Sequence, residues 1–358
     1  MTWDGGERRR GTPSTGLDRG RSSGLDGLRA LACLLVVAFH MHTVSGVSFG
    51  PLDPIIRGGD TGVWIFFALS GYLLYKPFVK GGVDLTAYGL KRAGRILPGY
   101  LVALAALTVL TGSRLPWEHP LPYLTITAPY DIPLRQFLGN AWTLSAEILF
   151  YVTLPFIARF AAGREVKTLA ILALASTTLA TVHRFQLTDA NAWMLGTYPL
   201  SFYAFVPGML LAVLEVRRPA WFAALRSPVA LAIGIAYLVF GALFTILPVA
   251  IGPAIGTPLV MGWLLHHRLP WQRLLIFTGG ASYAMYLWHK DLFIAFGPWF
   301  GLLIAIAGSA ASWAFIERPI LARVHAHSAR RAASRSAAAA AAAQSTEPAE
   351  STAPAPAA

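Results

Sequence analysis

The stretch LRALACLLVVAFH, residues 28–40, decides the fold of this chain. Its polar members are Arg29 and His40, and it opens an apolar run that reaches Val47. As a helix, this run is long enough to cross a hydrocarbon layer of about 30 Å. Eleven steps of about 100° separate Arg29 from His40, so both side chains lie on one helix face, roughly 16 Å apart. Ionisable residues inside a membrane helix are costly, which makes both of them candidate functional residues.

The composition of the whole chain favours a membrane protein. Mean hydropathy is +0.54, and charged residues make up 13% of the sequence, well below the quarter or so that is usual in soluble domains. The polar segment before Leu28 leads into a run that is too long for a signal-peptide core, so we expect the first helix to stay in the mature protein. The one cysteine, Cys33, allows no intramolecular disulfide and no thiolate metal site.

Ten apolar runs fit as membrane spans, and the sequence therefore predicts an all-α polytopic membrane protein with about ten transmembrane helices. The predicted spans are Leu28–Val47, Val63–Phe78, Leu97–Leu110, Leu144–Phe160, Leu169–Val182, Met194–Val213, Val229–Leu247, Val249–Leu265, Leu274–His289 and Trp299–Ile316. The boundary at Pro248 is the least marked.

The distribution of charge predicts the orientation of these spans. With both termini in the cytoplasm, 24 of the 29 Lys and Arg residues fall on the inside. The exceptions are Arg57, Arg114, Arg135, Arg184 and Lys290. This asymmetry follows the positive-inside rule and would be lost if one span were removed. The net charge of +12 thus reflects topology in the cell membrane, and we expect no nucleic-acid partner.

Three regions are predicted along the chain. Residues 1–23 form a basic, disordered N-terminal tail, residues 24–320 form the membrane domain, and residues 321–358 form a low-complexity, disordered C-terminal tail. The longest ordered outer loop, Thr111 to Thr143, contains prolines and aromatic residues and is predicted to be a lid or an acceptor-binding surface.

Two residues of the first span carry alternative interpretations. His40 is either a buried imidazole that packs among helices or a general acid/base, because an imidazole can be neutral at pH 7 and accept a proton. Cys33 shares its face, and we favour a packing role over a nucleophilic one because a thiol in apolar surroundings stays protonated.

Polar residues of the next two spans have similar alternatives. Ser70 and Gly71 lie in mid-membrane, where small residues let helices approach closely. Arg92 and Arg95 are three residues apart and would face the same way on a helix. They are either ordinary residues of an inner loop or an anion site that offers bidentate hydrogen bonds to phosphate.

The remaining candidates lie in the fourth and ninth spans. Glu147 is predicted near the outer interface, where it is either solvated or, if buried, paired with His40 or an arginine. Tyr286 and His289 lie toward the outer end of the ninth span. They belong either to an interfacial aromatic belt or to a site on the acceptor side.

The order of the motifs is more specific than any one of them. The segments LDGLRALACLLVVAFH, GVWIFFALSGYLL, KRAGRILPGY, WTLSAEILFY, SYAMYLWH and FIERP follow one another along the chain. This order resembles the acyltransferase 3 family of integral membrane acyltransferases over residues 24–320. The chain departs from the pattern at Trp64, where some members carry a carboxylate, and at Thr143, where Ser is more usual.

The resemblance implies an O-acyltransferase that moves an acyl group, often acetyl from acetyl-CoA, to a hydroxyl of a carbohydrate, a lipid-linked or cell-envelope glycan, a lipid or a macrolide sugar. It implies no permanently bound cofactor and no metal. The functional Arg and His of the family's first helix match Arg29 and His40, its paired arginines match Arg92 and Arg95, and its fourth-helix glutamate matches Glu147.

These matches and the predicted positions suggest a mechanism. Arg92 and Arg95, with Arg29, would hold the CoA phosphates at the inner surface. His40 would act as general base or carry the acyl group, and Glu147 would orient the imidazole or stabilise its charge. Ser70, Tyr286 and His289 are candidates for the acceptor side. The alternatives are a transporter or flippase of a lipid or glycan, which would more typically show inverted repeats, and a non-catalytic scaffold.

Overall fold

The computed structural model describes residues 22–131, 133–186, 200–244 and 251–345. Within these ranges the chain is helical and has no β-strand. The α-helices are α1 Ser23–Ser45, α2 Asp53–Arg57, α3 Thr61–Lys80, α4 Leu85–Thr111, α5 Leu115–Glu118, α6 Pro120–Leu124, α7 Trp142–Ala161, α8 Glu165–Gln186, α9 Val206–Arg217, α10 Pro219–Ala223, α11 Pro228–Leu243, α12 Ile251–His266, α13 Gln272–Phe296, α14 Pro298–Ala311 and α15 Arg318–Ser345. A π-helix, Ser312–Glu317, joins the last two.

Six helical segments of the described chain are long and apolar enough to cross a membrane. They are Ser23–Ser45, Thr61–Lys80, Leu85–Thr111, Gly139–Ala161, Glu165–His183 and Pro298–Arg335. The bent pair Pro219–Arg226 and Pro228–Leu243, which meets at 78°, would make a seventh. The described chain is therefore all-α and has six or seven segments that could span a membrane.

The predicted count of ten exceeds these six or seven segments for identifiable reasons. Within the described residues, α9 and α12 have 12 and 16 residues, and the described part of α12 extends for about 24 Å. Helix α13 is long enough but carries Arg273, Lys290 and Asp291. The start of the span predicted from Met194 and the boundary predicted at Pro248 lie outside the described residues.

Capping residues set the ends of helix α1. The Ser22 hydroxyl accepts a hydrogen bond from the Leu25 amide at the start. At the other end Gly46 has a φ of 69°, in the left-handed region, and its amide bonds to the carbonyls of the last turn. Arg29 therefore lies in the second helical turn, and His40 lies near the C-terminal end.

Two pairs of helices run parallel. Helix α1 packs along α13, with Cys33 against Ser282 and His40 against His289, so the chain advances by seven residues on both sides. Helix α3 packs along α9 in the same manner, because Trp64 stacks on Tyr203, just before α9 begins, and Lys76 pairs with Glu215 twelve residues later on both segments. If two helices both cross the membrane and run in the same direction, an odd number of spans must lie between them along the chain.

Glycine permits the close contact between α3 and α9. A Cβ atom on Gly71 would overlap the carbonyl oxygen of Phe205, and one on Gly208 would overlap that of Ala68. The backbones therefore touch, as in other membrane-helix pairs that place small residues at the crossing. The packing interpretation of Gly71 is confirmed.

The loop between α4 and α7 is folded against the bundle. Tyr100 donates to the carbonyl of Tyr123 at 2.6 Å, and the Tyr123 hydroxyl donates in turn to Leu134 at 2.7 Å. The amide of Leu138 donates to Asp291 on α13 at 3.0 Å. These bonds fix the loop beside the ninth predicted span, and its role as lid or acceptor surface stays a prediction.

The C-terminal segment differs from the predicted tail. Residues 321–345 continue helix α15 instead of leaving the fold. Alanine has the highest helix propensity of all residues, and the first part of α15 packs against α4, where Val324 faces Gly94 and Arg335 pairs with Asp84. Residues 1–21 and 346–358 lie outside the described part of the chain.

Candidate active site

Five helices, α1, α3, α4, α7 and α13, enclose a central cavity of about 110 Å³. Its polar wall includes six of the predicted site residues, namely Arg29, Ser70, Arg92, Arg95, Glu147 and Tyr286. Phe66, Phe67 and Leu144 contribute apolar surface, and Thr143 also lines it. Residues from distant parts of the sequence thus meet at one place, in a space large enough for a small ligand group.

A second cavity, the basic vestibule, adjoins the first. Its charged lining consists of six basic side chains and the carboxylate of Asp26. The basic residues are Arg29, Lys76, Lys80, Lys91, Arg92 and Arg95. The three arginines line both cavities and so mark the boundary between them. A concentration of positive charge in a cleft attracts anions.

Buried neighbours hold the Arg95 side chain at this boundary. Its guanidinium carbon lies 5.3 Å from the ring centroid of Tyr283 and 5.5 Å from that of Trp313, within the range of cation–π attraction. One guanidinium nitrogen lies 3.7 Å from Oε2 of Glu317. The other oxygen of Glu317 accepts a hydrogen bond from Ser312 at 2.9 Å.

Glu317 is wholly buried and ends the π-helix that begins at Ser312. Such irregular turns are frequent at functional sites. The sequence offered Glu317 only as part of the FIERP motif, and its contact with Arg95 was not predicted. The available signal was that segment, which puts a carboxylate immediately after an apolar span.

Arg29 and Arg92 are held differently. Arg29 pairs with Asp26, one helical turn earlier, at 3.0 Å. The Arg92 guanidinium lies 5.8 Å from the Tyr151 ring, and its buried Nε atom has no hydrogen-bond partner in the part of the chain that the structure describes. Arg92 therefore retains a donor for an incoming acceptor atom.

Glu147 faces the central cavity and accepts a hydrogen bond from the Ser70 hydroxyl. Its carboxylate is the one acidic group among the described residues that line this cavity, where Arg92 and Arg95 supply positive charge. The sequence predicted that Glu147 is either solvated or, if buried, paired with His40 or an arginine, whereas its hydrogen-bond partner is Ser70.

His40 pairs with His289 instead. Nε2 of His289 lies 2.9 Å from Nδ1 of His40, and the ring centroids are 4.9 Å apart. His289 is wholly buried, whereas His40 is half-buried. Neither histidine lines the central cavity, but Tyr286, which does, has its ring 6.0 Å from that of His289. The histidine pair therefore lies next to the cavity wall that Tyr286 forms.

Among the described residues, no group of three or more His, Cys, Asp and Glu side chains could hold a metal ion. The chemistry that the arrangement offers is anion binding by arginines, proton transfer by an imidazole and charge stabilisation by Glu147.

Comparison with known proteins gives consistent results. A family model described as an acyltransferase domain, that of the acyltransferase 3 family, matches residues 22–317. Nodulation protein 10 of Rhizobium leguminosarum bv. viciae is 27% identical over 362 aligned residues, covering 86% of this chain and 96% of the relative. An O-acetyl transferase of Shigella phage Sf6 is 26% identical over 54% of this chain and 63% of its own length.

A provisionally named O-acetyltransferase of Staphylococcus aureus (strain COL) is 28% identical over 37% of this chain. The chain spans only 24% of the length of that relative. No solved structure shows significant similarity to this chain.

Proposed function

Because the chain belongs to the acyltransferase 3 family, we propose that it is a membrane O-acyltransferase that moves an acetyl group from acetyl-CoA to a hydroxyl of a carbohydrate-type acceptor. The observation that carries the proposal is the set of three arginines, Arg29, Arg92 and Arg95, at the boundary between the basic vestibule and the central cavity. Acyl-CoA has the matching shape, with a polyanionic nucleotide at one end and a neutral thioester at the other.

The two cavities suit the two ends of the donor. The basic side chains of the vestibule would bind the CoA phosphates, and arginine can do so with paired hydrogen bonds. The central cavity, at about 110 Å³, has room for the acetyl thioester and the end of the pantetheine arm, but not for the nucleotide. The donor would therefore lie across the arginine boundary with its reactive carbon toward Tyr286.

His40 would take the proton of the acceptor hydroxyl. The oxygen then forms a bond to the acetyl carbon, the carbon–sulfur bond breaks, and the CoA sulfur leaves as a thiolate that His40 reprotonates. A carrier route, in which the imidazole itself first accepts the acetyl group, uses the same nitrogen. Glu147 would stabilise the positive charge that develops on the His40 imidazole. Positioned acid/base groups typically raise the reaction rate by about 10² to 10⁴.

We further propose ten spans in the cell membrane, with both termini cytoplasmic. The positive-inside asymmetry supports this count. So do the parallel pairs α1 with α13 and α3 with α9, because the ten-span scheme places an odd number of spans between the members of each pair. In this topology the basic vestibule opens toward the cytoplasm, where acyl-CoA is made.

The acceptor is proposed from the relatives. The names of the phage and staphylococcal proteins specify O-acetyl transfer, which requires a hydroxyl. A lipid-linked or cell-envelope glycan fits an enzyme within the membrane better than a soluble sugar does. A macrolide-type acceptor is the other substrate class that carries suitable hydroxyls.

Purified protein in nanodiscs, incubated with radiolabelled acetyl-CoA and a panel of glycan acceptors, tests the proposal. We expect label on an acceptor hydroxyl, and loss of transfer in His40→Ala although the variant inserts and accumulates normally. Full activity of His40→Ala would refute the assignment of His40. A wild-type protein that transfers acetyl neither to any acceptor nor to water would refute the reaction itself.

A further inference from the structure

The hydrogen-bond partners of the His40–His289 pair fix the tautomer of both rings. Nδ1 of His289 lies 2.9 Å from the carbonyl oxygen of Met285. A carbonyl oxygen can only accept, so Nδ1 of His289 carries a proton and donates it there. In the neutral ring, Nε2 of His289 is then the unprotonated nitrogen and acts as an acceptor.

The same reasoning determines the state of His40. Its Nδ1 atom lies 2.9 Å from Nε2 of His289 and 3.1 Å from the carbonyl oxygen of Val36. Both neighbours are acceptors, so Nδ1 of His40 must be the donor. Nε2 of His40 is therefore the nitrogen without a proton, and it is the one that can receive a proton from a substrate.

We propose that His289 is a positioning residue that holds His40 in the Nδ1–H tautomer and leaves Nε2 free as the catalytic base. This inference rests on the proposed function, because it assumes that His40 performs the proton transfer. His289 is wholly buried behind His40 and acts through that ring without touching substrate. It takes the place of the carboxylate that orients the histidine in a Ser-His-Asp triad.

The pair also stabilises the intermediate state of the reaction. When Nε2 of His40 takes the hydroxyl proton, its Nδ1–H remains bonded to two acceptors, the imidazole of His289 and the carbonyl of Val36. A hydrogen bond from a charged donor is stronger than one from a neutral donor, so both bonds strengthen as charge develops. Without His289 the ring can rotate or adopt the other tautomer, which places a proton on the nitrogen that should accept one.

Three substitutions test this role in the full-length protein in nanodiscs. His289→Gln keeps an acceptor oxygen close to the position of Nε2, whereas His289→Leu and His289→Met fill space without one. We expect Leu and Met to lower kcat by about 10² to 10⁴, the range for a positioned acid/base group, while the KM for acetyl-CoA stays unchanged. The Gln variant should recover most of the lost kcat.

His266→Leu is the matched control. His266 also lies on a helix with its Nδ1 atom 2.7 Å from the carbonyl four residues earlier, that of Gly262, but it packs against Phe222. This control should keep the wild-type kcat. Equal kcat values for His289→Gln and His289→Met, in an enzyme that His40→Ala inactivates, would overturn the positioning role alone. Wild-type activity of His40→Ala would overturn the proposed function beneath it.

Discussion

Ser70 on α3 donates a hydrogen bond to the carboxylate of Glu147 on α7, and this bond joins two walls of the central cavity. It keeps the carboxylate oriented beside the arginines. If Glu147 stabilises developing positive charge, its negative charge matters more than its shape. We therefore predict that Glu147→Gln lowers kcat by about 10² in the radiolabelled acetyl-CoA assay.

Ser70→Ala is the control for that prediction. It removes the hydrogen bond and leaves the charge, so kcat should fall less than in Glu147→Gln, by about tenfold, which corresponds to about 1.5 kcal/mol, the lower end of the range for a hydrogen bond to a charged group. If Glu147→Gln keeps the wild-type kcat, the side chain of Glu147 serves only to join α3 and α7.

Arg92 should bind the phosphates of the donor. It lines both the basic vestibule and the central cavity, so its guanidinium lies where the phosphates of the donor would enter. We predict that Arg92→Ala raises the KM for acetyl-CoA about tenfold, which corresponds to about 1.4 kcal/mol. The KM for S-acetyl-pantetheine, which lacks the phosphates, should not change.

Arg114→Ala provides a comparison, because Arg114 precedes α5 in the predicted outer loop and lies far along the chain from the vestibule residues. It should leave both KM values unchanged. If Arg92→Ala raises the KM for acetyl-CoA and for S-acetyl-pantetheine to the same extent, Arg92 stabilises the cavity and does not bind phosphate.

Glu317 should set the orientation of Arg95. The carboxylate is buried, lies 3.7 Å from the guanidinium and is held by Ser312. Glu317→Gln keeps the size and the hydrogen bond to Ser312 but removes the charge. We predict that the KM for acetyl-CoA rises about fivefold, as for a partly exposed ion pair worth up to about 1 kcal/mol, while kcat is retained. A KM equal to that of the wild type would separate Glu317 from donor binding.

The contact between α3 and α9 predicts a stability effect. Gly71→Ala would force Cβ into the carbonyl of Phe205, and overpacking of this kind typically costs about 1–3 kcal/mol. We expect a lower midpoint of thermal unfolding in detergent. Gly89→Ala is the control, because Gly89 is exposed on α4 with open space around it, and alanine favours a helix over glycine by about 0.5–1 kcal/mol. An unchanged midpoint for Gly71→Ala would mean that the two helices can separate at little cost.

The apolar runs were sufficient to predict a helical protein with membrane-spanning segments, although not their number, and the motif order was sufficient for the family, which the match over residues 22–317 confirms. Neither the apolar runs nor the motif order could predict which side chains of different helices meet. His289 meets His40 because α1 and α13 run parallel in contact, and this depends on tertiary packing.

The same limit explains Glu147, whose bond to Ser70 depends on how α7 packs beside α3. It also explains the C-terminal segment. Low complexity predicted disorder from residue 321, but helix propensity and the contact with α4 order the chain to Ser345. Composition describes a segment in isolation, whereas its structure depends on the surface that it meets.

The ten-span topology can be tested with the one native cysteine removed. Cys33 is buried, so Cys33→Ala gives a background without reactive thiols. Trp117 and Trp271 are 77% and 78% exposed, and five predicted spans separate them, so they should lie on opposite sides of the membrane. We predict that a membrane-impermeant maleimide labels Trp117→Cys in intact cells and labels Trp271→Cys only after permeabilisation. Labelling of both from outside would mean an even number of spans between them, and the basic vestibule would then lose its assignment to the cytoplasmic side.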